Sequence, residues 1–179
     1  MYGVIDEMQS GATTIMNNVP SGASYEFGVG EYNEDPSEPW GPHTSYLQNQ
    51  TLTSSVTAAQ TAIDGWNASG GGDTPEANFY ALKQMANTAA WRTGSQRIAV
   101  WFGDAWSHTA TTTEIEAINA LKAKGITVIA FNSGSAGNGI DRYSQASNVV
   151  DSTGGSLVNN AASLTGTAFS TAVNNEISL

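Results

Sequence analysis

The stretch RIAVWFGDAWSH, Arg97 to His108, decides the fold because a short apolar run in it is followed, after a single glycine, by an aspartate. The run from Ile98 to Phe102 shows little alternation, which predicts a parallel strand covered on both faces by helices. In open α/β sheets, ligands bind beyond the carboxyl ends of the strands, where Asp104 would emerge. Two interpretations of Asp104 stay open from this segment alone: a ligand-binding group, or the cap of the next helix or turn.

Composition limits the class of protein. The chain has 179 residues, about the size of one domain, and 16 acidic against 6 basic residues give a net charge of -10. This charge disfavours nucleic acid and anionic lipid as partners. The absence of cysteine excludes disulfides, thiolate metal sites and a cysteine nucleophile. No apolar run approaches the roughly 18 to 20 residues of a membrane span, and no signal peptide is visible.

Hydrophobic spacing predicts the remaining elements. Helices are expected over residues 4–19, 52–66, 75–89, 113–125, 143–151 and 161–177, and strands over 25–32, 126–131 and 156–158. Residues 33–50, rich in proline, are expected to form a long loop. The alternation of strand and helix in the second half predicts a three-layer, doubly wound α/β fold, with helices on both faces of a mostly parallel sheet.

A second motif, GGGDTPE, places Asp73, Thr74 and Glu76 in a glycine-rich loop at the start of a predicted helix. Mg²⁺ and Ca²⁺ take oxygen ligands held close together. If this loop meets the Asp104 loop, the four residues supply suitable chemistry for such a cation. The competing interpretation is helix capping, with Asp73 or Thr74 at the N-cap and Glu76 in the first turn. The two roles are also compatible.

The segments GGGDTPEANFYALKQM and RIAVWFGDAWSH, with Trp91-Arg92 between them, resemble von Willebrand factor A domains. The chain most resembles the integrin beta-subunit I-like domain and its bacterial relatives, over essentially its whole length in element order. The resemblance implies a non-enzymatic, doubly wound α/β module of a surface or secreted protein. Such modules bind protein ligands through a metal-ion-dependent adhesion site.

By position, Glu76 would be the acidic ligand of the family's second motif, Thr74 a hydroxyl ligand and Asp104 the aspartate of the third motif. A carboxylate from the protein partner would fill the free coordination position on Mg²⁺ or Ca²⁺. The subfamily also has a further calcium site, to which Glu34 or Asp35 would contribute beside Asp73 and Glu76. A solvated acidic loop is the competing interpretation of Glu34 and Asp35.

The family's first motif, Asp-x-Ser/Thr-x-Ser, is absent, together with the strand that carries it. Residues 1–179 are therefore expected to be a single, N-terminally truncated domain that lacks its first, central strand. This loss would expose the flanking strands and remove three metal ligands, so metal binding is expected to be weak or absent. Another adjacent metal site is rejected, because Gly3 and Val4 occupy its positions.

Two other classes of function remain as alternatives. A metal-assisted hydrolase could use His108, although the chain lacks a cysteine and an identifiable serine elbow, and His108 is expected instead to order the Asp104 loop. A nucleotide-binding α/β enzyme could use the loop from Gly134 to Gly139, but dinucleotide spacing and a lysine partner are missing. A structural domain with a decayed metal site is also possible. Trp40, Tyr46 and Trp106 are candidates for a recognition surface.

Overall fold

The computed structural model describes residues 5–39, 45–67, 72–163 and 166–177. In chain order the elements are α1 (Ile5–Asn17), β1 (Phe27–Glu31), β2 (Leu47–Thr53), α2 (Val56–Asp64), α3 (Asn78–Thr88), β3 (Arg97–Gly103), α4 (Glu114–Ala123), β4 (Ile126–Asn132), α5 (Gln145–Thr153), β5 (Ser156–Val158) and α6 (Gly166–Ile177). Short 3-10 helices cover Gly139–Ser144 and Ala161–Ser163. None of the helices described is long and apolar enough to cross a membrane.

The sheet of β3, β4 and β5 is parallel and has helices on both faces. Its strand order is β3-β4-β5, and β3 and β4 pair without a break from Arg97 beside Ile126 to Gly103 beside Asn132. On one face, α3, α4 and α5 pack through a buried cluster that includes Phe79, Leu121 and Val149. On the other face, α1 and α6 pack through Met8, Ile15, Phe169 and Val173. The predicted three-layer α/β architecture is confirmed.

The strands β1 and β2 form a separate antiparallel pair, and no strand pairing joins β1 to β3 within the described ranges. A cleft of about 1090 Å³ lies between β1 and β3, with residues of α1 and α3 also lining it. The hydroxyl of Tyr32, just after β1, crosses the cleft and donates a hydrogen bond to the carbonyl of Phe102 at 2.6 Å. At the other end, Arg92 contacts Ser24 ahead of β1, so β1 and β3 run in the same direction.

A long loop was predicted over 33–50 and a helix start at Leu52. Both predictions are wrong over Leu47–Thr53, which form the strand β2. Leu52 has helical spacing to Val56, but its backbone lies in β2, beside β1. The strand is polar and half-exposed, so hydrophobic alternation gave no signal for it. Backbone pairing with β1 stabilises it instead, and α2 begins only after Ser55, whose side chain accepts a hydrogen bond from the backbone of Ala58.

Three further predicted helices begin later than expected. The helix predicted from Pro75 begins at Asn78, because the backbone of Glu76 is hydrogen bonded to another loop. The helix predicted from Tyr143 begins at Gln145, after Tyr143 and Ser144 adopt left-handed backbone angles. The closing helix, predicted from Ala161, is described as α6 from Gly166, and Ala161–Ser163 form a 3-10 turn. The other predicted helices and strands are found within a few residues of their expected bounds.

Candidate metal centre

The two sequence motifs meet through backbone hydrogen bonds. The N–H of Glu76 donates to the carbonyl of Trp106 at 2.8 Å, and the N–H of His108 donates to the carbonyl of Glu76 at 2.9 Å. Glu76 and Ser107 therefore form an isolated parallel bridge beyond the end of β3. This bridge brings the carboxylates of the two motifs to one end of the cleft, where Asp73, Thr74, Glu76 and Asp104 all line its wall.

Buried side chains hold this junction in place. The hydroxyl of Ser107 accepts a hydrogen bond from the N–H of Phe79 at 2.9 Å and donates one to the carbonyl of His108 at 2.8 Å. The side chain of Gln145 bonds both backbone groups of Ser107, at 2.7 and 3.2 Å. Asn78 adds a bond from its side-chain amide to the carbonyl of Ala105 at 3.1 Å. The loop after β3 is thus fixed by hydrogen bonds to side chains of α3 and α5.

The segment after β1 joins the same junction. The N–H of Ala77 donates to the carbonyl of Asn33 at 2.6 Å, which places Glu34 beside the loop that carries Asp73. Glu34 is fully buried, and its Oε1 accepts a hydrogen bond from the N–H of Asp73 at 3.4 Å. Asp35 is also buried and accepts hydrogen bonds from Ser37 and Thr111. The interpretation of Glu34 and Asp35 as a solvated acidic loop is therefore wrong.

A cluster of three side chains forms where Glu34 meets the second motif. Nε2 of His108 lies 3.1 Å from Oδ1 of Asp73 and 4.0 Å from Oε2 of Glu34. One ligand atom from each of the three residues lies within 4.8 Å of the other two. Nδ1 of His108 faces away from the cluster, toward Oε1 of Glu38 at 3.8 Å. His108 therefore contacts the GGGDTPE loop through both its backbone and its ring.

The pKa of the Glu76 side chain is strongly shifted by its surroundings in the site. Burial raises its pKa to about 8, and repulsion from Glu34, Asp104 and Asp73 adds to the shift. Its Oε2 is buried and accepts no hydrogen bond from any described residue. Four carboxylates thus act on one another at this end of the cleft, and the ring of His108 lies beside two of them, Asp73 and Glu34. Such a site favours either proton uptake or a bound cation.

Helix capping does not explain the acidic residues of either motif. The N-cap of α3 is Ala77, without a side-chain hydrogen bond, and Asp73 and Thr74 lie several residues ahead of it. The next helix after Asp104 is α4, which Thr113 caps. In the part of the chain that is described, Asp73, Thr74 and Asp104 therefore cap no helix, and the helix-capping interpretation of these residues is wrong, whereas a turn-capping role of Asp104 stays a prediction. Gly70, Gly71, Gly3 and Val4 lie outside the described residues.

Arg142, Tyr143 and Trp106 form an aromatic rim next to the cluster. The guanidinium carbon of Arg142 lies 4.0 Å from the ring centroid of Trp106, and the Tyr143 ring meets Trp106 edge-on. Tyr143 is 67% exposed and has a φ of 63°, a conformation rarely adopted without a constraint. Trp106 was expected at such a surface, whereas Tyr46 packs near Gly30 and Trp40 lies outside the described residues.

Backbone N–H groups in and next to the loop Gly134–Gly139, considered above as a possible phosphate cradle, already donate hydrogen bonds to the side chain of Asn132. Oδ1 of Asn132, which is fully buried, accepts hydrogen bonds from the N–H groups of Gly134 and Ile140 at 3.1 and 3.2 Å. Its amide nitrogen donates to the carbonyl of Asn138 and to Asn159. Two of the N–H groups that a phosphate would need are therefore already bonded to Asn132.

The comparisons with known proteins identify the fold. No family model and no curated protein matches the sequence. Among solved structures, BatB from Bacteroides thetaiotaomicron, a conserved hypothetical protein, matches with a TM-score of 0.71 and 15% identity over 97% of this chain and 86% of that one. Proximal thread matrix protein 1 from the mussel byssus, with a zinc-occupied MIDAS motif, matches with a TM-score of 0.61 and 16% identity over 99% of this chain and 42% of that one. The chain has a von Willebrand factor A-like fold.

A further structure of this fold comes from Bacteroides fragilis NCTC 9343 and is described as an aerotolerance-related membrane protein. Its TM-score is 0.66 at 14% identity, over 96% of this chain and 88% of that one. At such identities the likeness concerns the fold alone. The von Willebrand factor A-like fold places the cluster of acidic residues at the carboxyl end of its parallel strands, where ligands of open α/β sheets bind.

Proposed function

We propose that this chain is a divalent-cation-dependent, protein-binding module of the von Willebrand factor A type, without enzymatic activity, acting outside the cell or at its surface. The observation that carries the proposal is the convergence of Asp73, Glu76 and Asp104 at one end of the cleft, with an unbonded buried oxygen on Glu76. Thr74 lies on the same wall and offers a hydroxyl. Glu34 supplies a further carboxylate beside Asp73.

The donor set fits a divalent cation. Carboxylate and hydroxyl oxygens are the ligands that Mg²⁺ and Ca²⁺ prefer. Repulsion among the carboxylates, which contributes to the raised pKa of Glu76, would be relieved by a bound ion. When bound, the ion offers an open coordination position to a carboxylate oxygen of a protein partner. The acidic residues of this chain would hold the ion, and the backbone hydrogen bonds of Glu76 fix the two loops that carry them.

The aromatic rim of Trp106, Arg142 and Tyr143 supports a protein partner with an acidic group. Arg142 presents a guanidinium group over Trp106, and such groups recognise carboxylates well. Aromatic residues and arginine are also the side chains that contribute most to protein interfaces. A shallow pocket of about 250 Å³, lined by residues that include Trp106, His108 and Tyr143, lies beside the rim.

The cation is tested by calorimetric titration of the chelator-treated chain with MgCl₂ and with CaCl₂. We expect binding that Asp104→Ala weakens at least about tenfold, because one of the oxygen ligands is lost. Asp64→Asn is the matched control, since Asp64 lies on α2 and hydrogen bonds only to Gln60. The absence of binding heat and of any thermal stabilisation by either ion would contradict the proposal.

The partner chemistry is tested with a blocked peptide, acetyl-Gly-Asp-Gly-amide, and its asparagine counterpart. We expect the aspartate peptide to shift the indole NMR signal of Trp106 only in the presence of Mg²⁺ or Ca²⁺. Tyr143→Ala and Arg142→Ala should reduce this response without changing cation binding. An equal response to both peptides would show that the carboxylate is not what is recognised.

Residues 1–179 are further proposed to form one domain whose sheet is completed by an additional central strand in the cleft between β1 and β3. The parallel directions of the two strands support this proposal. The side chains of Ile98, Val100 and Phe102 on β3 are partly exposed, and an additional strand in the cleft would bury them. A copy of the β4 sequence ITVIAFN, fused ahead of residue 1, should raise the melting temperature and slow amide exchange in β1 and β3. The control fusion ITPIPFN should do neither, because proline breaks strand pairing.

A further inference from the structure

The three side chains Glu34, Asp73 and His108 are arranged as ligands around one point. In tetrahedral coordination at 2.0 to 2.1 Å, two ligand atoms lie about 3.3 Å apart. The Nε2 atom of His108 lies 3.1 Å from Oδ1 of Asp73 and 4.0 Å from Oε2 of Glu34. A small movement of the exposed Asp73 side chain, or of His108, brings all three atoms to a common bonding distance.

The buried end of the cluster points independently to a cation. Glu34 is 0% exposed, and its Oε2 accepts no hydrogen bond from the described part of the chain. A buried carboxylate oxygen without a partner costs free energy, and among the described residues the His108 ring lies 4.0 Å from it. A positive ion between Glu34, Asp73 and His108 would satisfy this oxygen.

The orientation of the imidazole ring fits a ligand. Nε2 faces the two carboxylates of the cluster, and Nδ1 faces Glu38 at 3.8 Å. Metal-bound histidines regularly direct their second ring nitrogen to a carboxylate or carbonyl, which fixes the ring and increases its basicity. The side chain of His108 is 14% exposed, so the ring is held from several sides while one face stays open to solvent.

We propose that Glu34, Asp73 and His108 form a second metal site, for Zn²⁺ or a similar transition-metal ion, next to the Mg²⁺ or Ca²⁺ site of the proposed function. An imidazole nitrogen favours Zn²⁺ and its neighbours in the transition series over Mg²⁺ and Ca²⁺. Three protein ligands leave a fourth position open to water or to a group from a partner. The second site rests on the proposed function in that it shares Asp73 and Glu34 with it, but it adds His108 and does not require an ion at Glu76 and Asp104.

The test is calorimetric titration of the chelator-treated chain with ZnCl₂ in a buffer that contains millimolar MgCl₂. We expect one equivalent of Zn²⁺ to bind, with affinity reduced about 10- to 100-fold in His108→Ala and in Glu34→Gln. Titration with CoCl₂ supplies a spectroscopic readout, because nitrogen and oxygen ligands in a four-coordinate site give visible absorption bands. These bands should disappear in both variants.

Two control variants separate this site from binding of Zn²⁺ elsewhere on the chain. His43→Ala removes the only other histidine of the chain and should leave Zn²⁺ binding unchanged. Asp104→Ala should weaken Mg²⁺ binding at least about tenfold yet leave Zn²⁺ binding unchanged. Failure of the proposed function and failure of this site are therefore distinguishable. Thermal unfolding verifies that each variant is folded, and Glu34→Gln keeps the shape of the buried side chain if His108→Ala does not fold.

Two results would overturn the inference. Equal Zn²⁺ affinity in the unsubstituted chain, His108→Ala and Glu34→Gln would mean that the cluster is an ion pair between a protonated histidine and its carboxylates. Loss of Zn²⁺ binding in His43→Ala would place the ion elsewhere in the chain.

Discussion

The hydroxyl of Ser107 accepts a hydrogen bond from the backbone N–H of Phe79 at 2.9 Å. Ser107 thus joins the loop after β3 to the first turn of α3. We expect Ser107→Ala to lower the free energy of unfolding by about 1 to 3 kcal/mol, because the buried N–H of Phe79 loses its acceptor. Urea unfolding measures the change, and Ser95→Ala is the matched control, since Ser95 is half-exposed and its hydroxyl contacts only Arg92.

The raised pKa of Glu76 predicts a pH dependence of stability in the metal-free chain. The folded pKa of about 8 lies above the ordinary value of 4.5, so the folded state holds an extra proton between these values. The stabilising effect is complete below about pH 4.5 and is lost as the pH rises through 8. Because Glu76 is partly exposed, we expect a loss of only about 1 to 2 kcal/mol.

Chemical unfolding in the presence of a chelator, at pH 6 and at pH 9, measures this loss. Glu76→Gln should remove it, because the variant cannot ionise. Asp6→Asn, an exposed residue on α1, removes a carboxylate without changing the pH dependence. A pH dependence that persists unchanged in Glu76→Gln would assign it to another group.

Gly103 predicts a steric limit at the end of β3. A Cβ atom on Gly103 would lie 2.5 Å from Cγ2 of Ile140 and 2.6 Å from the hydroxyl oxygen of Tyr32. Gly103→Ala should therefore destabilise the fold by about 1 to 3 kcal/mol and displace the Tyr32 hydroxyl from Phe102. Gly65→Ala provides the contrast in the same unfolding measurement, because the nearest atom to its Cβ lies 3.3 Å away and its φ is negative. Equal effects of the two substitutions would contradict a steric limit at Gly103.

The start of α4 is held by a reciprocal pair of contacts. The Thr113 hydroxyl accepts from the N–H of Glu116, and the Glu116 carboxylate accepts from the backbone N–H of Thr113. Hydrogen bonds from Thr113 lower the pKa of Glu116 to about 2, with Lys83 contributing. Thr113→Ala should reduce stability by about 1 kcal/mol and raise this pKa. Urea unfolding and NMR titration measure the two effects, and Thr109→Ala, exposed in the same loop, should change neither.

The strands with continuous apolar sequence could be predicted, since only burial on both faces favours a run such as Ile126 to Phe131. The strand β2 could not be predicted in the same way. Its residues Gln48 and Gln50 carry no hydrophobic pattern, and the strand forms through backbone pairing with β1. Local spacing carries no information about pairing partners that are distant in sequence.

For the candidate site, the four residues of the two motifs were expected together, and all four line one end of the cleft. His108 was expected to order the Asp104 loop, with use by a metal-assisted hydrolase as the alternative, because a single histidine has no spacing pattern. Its proposed role as a metal ligand depends on its distance from Asp73. That distance is set by the backbone hydrogen bonds of Glu76 with Trp106 and His108. The position of His108, four residues after Asp104 in the same loop, was the available signal.

The contacts that build the candidate metal centre join residues far apart along the chain, which has a consequence for folding kinetics. Glu34 and Asp73 are separated by 39 positions, and Ser107 and Gln145 by 38. Contacts of such separation require long loops to close and form late in folding. A cation that needs them complete should slow unfolding while leaving the folding rate unchanged. In stopped-flow experiments, cation binding should therefore lower the unfolding rate and leave the folding limb of the chevron plot unchanged, because the ion binds only after the chain has folded.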